Sequence, residues 1–101
     1  MAIDSDNNRQ LSSAGLSERK RRILFRAWHR GTKELDIMIG SYADAHLAAM
    51  GEADLDAFEA LMQQEEPHLY NWIAGIEDAP DAVRSPLLDD IIAFHKLRAA
   101  N

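Results

Sequence analysis

No cysteine occurs in the 101 residues, which removes a disulfide framework, a thiolate nucleophile and a thiolate metal site at once, and fits a reducing compartment. Prolines number three and glycines five, and the glycines are scattered, so there is neither a proline-rich linker nor a glycine-rich loop to cradle a phosphate. No apolar run approaches the roughly 20 residues of a membrane-spanning helix. No segment alternates apolar and polar residues with a period of two, so nothing is available to build a sheet. The four histidines, His29, His46, His68 and His95, fall in separate segments without metal-ligand spacing, and each reads as a core-edge or solvated imidazole. No nucleophile with a partnering base stands out. The sequence offers no catalytic residue and no metal site.

What is present is apolar residues at helical spacing. Hydrophobic residues make up 47% of the chain, and they recur at three- and four-residue steps in five segments. A first helix is capped by Ser17 and runs to about Arg30, with Leu16, Ile23, Leu24, Ala27 and Trp28 on its apolar side. A second, from Lys33 to Ala49, carries Leu35, Met38, Ile39, Tyr42, Ala45 and Ala49 on one stripe, and Gly51 ends it. A third has Glu52 or Asp54 in its first turn and continues to about Gln64, with Leu55, Phe58, Leu61 and Met62 inward. Pro67 opens a fourth, whose stripe is Leu69, Trp72, Ile73 and Ile76. After a loop from Glu77 to Ser85, the pair Ser85-Pro86 starts a last helix through about Ala99, with Leu87, Leu88, Ile91, Ile92, Phe94 and Leu97 facing in. The fold class this predicts is all-α, a compact bundle of five short helices in a single domain over residues 16–101. Residues 1–15 carry Asp4 and Asp6 and no apolar core. They read as a flexible tail, not a signal or transit peptide.

The net charge of −6 hides a division. Up to Lys33 the chain is net +5; from Glu34 onward it is net −11. The cluster Arg19 to Arg22 with Arg26 and Arg30 suggests phosphate contacts. The acidic remainder argues against that, and pairing of these cations to acids elsewhere in the fold accounts for most of them. Asp89 with Asp90, and Glu65 with Glu66, read as a solvated face and a helix end.

The least ordinary stretch is Arg30-Gly31-Thr32-Lys33-Glu34-Leu35-Asp36. Gly31 can stop a helix in a left-handed turn, and Thr32 can cap the next one. Arg30 and Glu34 stand four apart, where an ion pair within one helix contributes about 0.2–0.5 kcal/mol. Gly31 between them weakens that reading, because glycine in a helix interior costs about 1 kcal/mol. The corner then displays opposed charges beside a bare backbone, which suits docking better than stability.

At these residues the sequence resembles the succinate dehydrogenase assembly factor family, small helical flavinylation factors with the signature R-G-x-x-E, here Arg30-Gly31-Thr32-Lys33-Glu34. The likeness extends through the tyrosine-containing second helix, the Phe58 to Met62 segment, the E-x-P-x-L-Y-N-W run from Glu65 to Trp72 and the last helix, covering residues 19–98. The resemblance implies a protein without catalysis of its own, holding no cofactor stably. It would bind the flavoprotein subunit of succinate dehydrogenase, and in some bacteria of fumarate reductase, and promote covalent attachment of FAD to a histidine of that client. It further implies client docking through Arg30, Gly31 and Glu34, to which Asp36, Arg26 and Trp72 are added here. The expected setting is the bacterial cytoplasm, without membrane insertion or nucleic acid, as a monomer when free. The competing reading is a helical nucleic-acid-binding module that uses the basic first helix.

Overall fold

The computed structural model describes residues 15–100. Apart from Gly15, the expected flexible tail lies outside the described residues. Within them are five α-helices and no strand: α1 (Glu18–Ala27), α2 (Lys33–His46), α3 (Glu52–Met62), α4 (Glu66–Ala74) and α5 (Pro86–Ala100), with a 3₁₀ turn (Leu47–Ala49) after α2. The all-α five-helix expectation holds.

Three starts follow from local chemistry. The hydroxyls of Ser17, Thr32 and Ser85 accept the backbone N–H groups of Lys20, Leu35 and Leu88, satisfying donors that a first turn leaves unpaired. Asp54 accepts from the N–H of Gly51, so Gly51 opens α3 rather than closing α2. Gly75, in the left-handed region at φ 81°, closes α4, and the N–H of Ile76 turns back onto the carbonyl of Asn71 at 2.9 Å.

α2 is the hub, touching α1, α4 and α5, while α1 and α5 each also meet α3. The core is a continuous cluster that includes Ile23, Leu35, Ile39, Phe58, Leu69, Ile73, Leu88 and Ile91. α1 crosses α2 at a close approach. A Cβ on Gly40 would fall 2.3 Å from Cδ2 of the Trp28 indole, so this mid-helix glycine is what admits the ring. The hydroxyl of Tyr42 donates to Asp90 at 2.5 Å, tying α5 to α2. Burial, and then the carboxylate of Asp90, push the Tyr42 phenol up from its ordinary range. Asp90 therefore belongs to an inter-helix tie and not to a purely solvated face.

The side-chain pattern departs from expectation in four places. Ala45 and Ala49 are exposed, whereas Ala43 and Leu47 are buried. The stripe advances by four from Ile39, because covering Leu47 removes far more apolar area from water than covering another alanine. Ile76 is 66% exposed, since α4 has already ended, and Leu97 is 68% exposed. Residues Lys96 through Ala99 are all exposed, so the end of α5 runs clear of the core.

Candidate functional site

The basic side of α1 is mostly committed within the fold. Arg19 reaches across to α3 and holds three carboxylates, Glu52 at 2.5 Å, Asp56 at 2.7 Å and Glu59 at 2.8 Å. Those three residues lie on one face of α3 at steps of four and three, so a single forked guanidinium meets all of them. The hydrogen bond from Arg19 holds the Glu59 carboxyl below the usual carboxylate range, and the same acids raise Arg19 further. Lys20 donates to the carbonyl of Ala48, Arg21 to that of Leu16, and Arg22 faces Glu18 one turn back. Arg26 stays exposed.

The corner after α1 is built differently from expectation. α1 stops at Ala27, three residues before Arg30, and Gly31 sits in the connecting segment with φ 121°. It is a bend within the connector and not a helix stop. The helix ends early because Trp28 and Arg30 are drawn onto α2 and α3, while His29 between them stays on α1. The Trp28 ring lies against Gly40, His29 stacks on Phe25 with ring centroids 4.0 Å apart, and the N–H of Arg30 donates to the Asp36 carboxylate. Arg30 also does not pair with Glu34. Its Nη2 donates to the carbonyl of Met62 at 2.6 Å, an otherwise unsatisfied acceptor at the end of α3, where a cation suits the helix dipole. Its Nε is buried without a hydrogen-bond partner.

These ties leave the other side of the corner open. The start of α4 comes up against it, and the carboxylate of Glu66 lies over Gly31: a Cβ there would be 2.9 Å from both Glu66 oxygens. Thr32, Glu34, Glu66, Pro67, Tyr70 and Asn71 together line a groove of about 500 Å³. Among the described residues neither Glu34 nor Glu66 is paired with a cation. The expected docking residues therefore divide. Gly31 and Glu34 are exposed at the groove, Arg30 and Asp36 fasten it from behind, and Arg26 lies on α1 apart from its lining. Trp72 is 5% exposed, so it packs in the core, with His68 stacked on it at 5.9 Å, and offers no docking surface. Reasoning along the chain did not single out Glu66, Pro67, Tyr70 and Asn71 as site residues. Their signal was the run from Glu65 to Trp72, which carried the resemblance but which no local rule connects to Gly31.

A family model described as "Flavinator of succinate dehydrogenase" matches residues 21–95. The chain belongs to this family. It is 34% identical over 82% of its length to the FAD assembly factor SdhE of Acetobacter pasteurianus, covering 76% of that protein. It is 30% identical over 81% of its length to the SdhE of Aliivibrio fischeri, covering 96% of it. A mitochondrial succinate dehydrogenase assembly factor 2, from Dictyostelium discoideum, is 28% identical over 68% of this chain. This chain spans only about half of that longer protein, 49%. No solved structure matches the chain. The matched residues take in α2, α3, α4 and most of α1 and α5. Nothing in these names supports the nucleic-acid reading, and Arg19, at one end of the cationic face on which it stood, is held by three carboxylates of α3, while Arg21, Arg22 and Arg26 remain exposed.

Proposed function

We propose that this chain is a non-catalytic assembly factor that binds the flavoprotein subunit of succinate dehydrogenase and promotes covalent attachment of FAD to a histidine of that client. The observation that carries the reading is the groove beside Gly31, where residues of the family signature, Thr32 and Glu34, meet the start of α4. Its lining supplies carboxylates, a phenol and an amide. The Thr32 hydroxyl caps α2 by accepting the N–H of Leu35, and this reading assigns the groove no chemical step of its own. The attacking histidine and the flavin both belong to the client in this account. The factor contributes position, holding the client so that the histidine meets the flavin ring, a proximity effect that can be worth several kcal/mol. The acidic rim of Glu34 and Glu66 disfavours the diphosphate of free FAD, which agrees with a factor that acts on the client's FAD and keeps none. The same reading takes the protein to work as a soluble cytoplasmic monomer. Among the described residues no helix is long and apolar enough to cross a membrane.

The test is the covalent flavin content of the client subunit in cells with and without this gene, read as in-gel flavin fluorescence after denaturation. Loss of the fluorescent band without the gene, and its return on complementation, is the expected result. Undiminished covalent flavin in its absence would contradict the assignment.

A further inference from the structure

Resting on that reading, we infer that the groove between Gly31 and the start of α4 receives a basic side chain, an arginine or lysine, carried on an exposed segment of the client. Glu34 and Glu66 belong to different elements, one in the first turn of α2 and the other at the first position of α4. The fold nevertheless brings both to one groove, with Pro67 and Tyr70 supplying wall between polar Thr32 and Asn71.

Glu66 is half-buried, and among the described residues it has no cationic partner. The nearby cation that sequence spacing offers, Arg30, is turned away onto the carbonyl of Met62. Contrast Arg19, which holds three carboxylates of α3 at 2.5–2.8 Å. Where this chain closes an acidic face for its own stability it supplies the cation itself; at the groove it does not. An acidic groove with an apolar wall is complementary to a long cationic side chain, whose methylene stem lies along Pro67 and the Tyr70 ring while its head reaches the carboxylates. An arginine would engage the two acids as a fork, a lysine as a point charge. Gly31 fits this arrangement. Lacking a side chain, it lets the Glu66 carboxylate settle over the connector, at the edge of the groove.

The experiment is titration of the purified flavoprotein subunit, lacking covalent flavin, with the full chain, comparing wild type with Glu66→Gln, Glu34→Gln and the double variant at low and high salt. Glutamine keeps the shape and removes the charge, and thermal melts verify that each variant folds. Each single variant is expected to raise Kd about tenfold, as for loss of one hydrogen bond to a charged group. The double variant is expected to lose most of the salt dependence. Wild-type affinity in both single variants would overturn this inference alone, because the client would then be bound without a cation in the groove. Failure of the wild-type chain to bind the subunit would overturn the proposed function, and this inference with it. Sedimentation showing a wild-type dimer that Glu66→Gln dissociates would give the groove to a second copy of the chain and overturn the inference.

Discussion

Two places in this molecule put charged groups of α1 or its connector next to those of another helix, and they do so to opposite ends. On α3, Arg19 closes on Glu52, Asp56 and Glu59 and leaves that set with its cation in place. At the corner, Arg30 is spent on a backbone carbonyl, and Glu34 and Glu66 face a groove without one. The sequence presents both as mixed basic and acidic stretches. The difference is tertiary: a charge satisfied within the chain supports the fold, while one left unpaired at a concave surface is available to a partner.

The comparison breaks most completely if the joint shared by both regions is destroyed. Gly40→Ala places a Cβ within 2.3–2.8 Å of the Trp28 indole, and a ring held between helices cannot move aside cheaply. The expected loss is about 3 kcal/mol, the upper end for overpacking a core, seen as a large fall in Tm, with the Arg19 face and the groove lost together. A melt within a degree or two of wild type would show that Trp28 does not depend on this glycine.

Gly31→Ala acts on the groove alone. An L side chain at φ 121° is strained, at about 1–2 kcal/mol, and its Cβ meets the Glu66 carboxylate, which can swing away. The chain should stay folded while client affinity falls by more than the change in stability, compared by melts and by titration of the client subunit.

Asp36→Ala removes the acceptor of the Arg30 N–H. A loss of about 1 kcal/mol is expected, together with weaker client binding, because the connector that carries Gly31 loses an anchor. Unchanged binding would mean that Thr32 and Arg30 hold the corner without it.

The smallest effect separates the two regions by pH. Glu59 is held below its ordinary range by Arg19, so its contribution is present in full above the unfolded carboxylate value of about 4.3. It is lost as pH falls through the lower folded value. Tm should therefore decline below about pH 4.3, and that part of the decline should vanish in Arg19→Ala. An identical acid profile in the variant would show that the Arg19 set does not couple to folding.

These contrasts also mark what the sequence could say. Ser17, Thr32 and Ser85 cap helices by reaching three residues along the chain, so their roles are local and readable. The five helices follow from spacing for the same reason. The end of α1 was not readable, because it depends on Gly40, Asp36 and Met62, which lie on other elements. Gly40 did carry one local signal, since a mid-helix glycine costs about 1 kcal/mol and calls for a packing reason. At the site, Gly31 and Glu34 were legible through the family signature. Glu66 sits 35 positions beyond Gly31 in sequence, and only the folded chain brings it over that backbone. Trp72 was misplaced for the converse reason: an aromatic in a shared motif reads as a contact residue until its burial is seen.

The most direct test of the division between an inward-closed and an outward-open charged region pairs two variants in one assay. Arg19→Ala and Glu34→Ala would each be melted as purified protein and expressed in cells lacking the native gene, with covalent flavin on the client subunit measured by in-gel fluorescence. The account predicts a crossover: Arg19→Ala lowers Tm and keeps flavinylation, and Glu34→Ala keeps Tm and loses most of it. If flavinylation instead tracks Tm in both variants, the corner has no role beyond holding the fold, and the docking site lies elsewhere on the molecule.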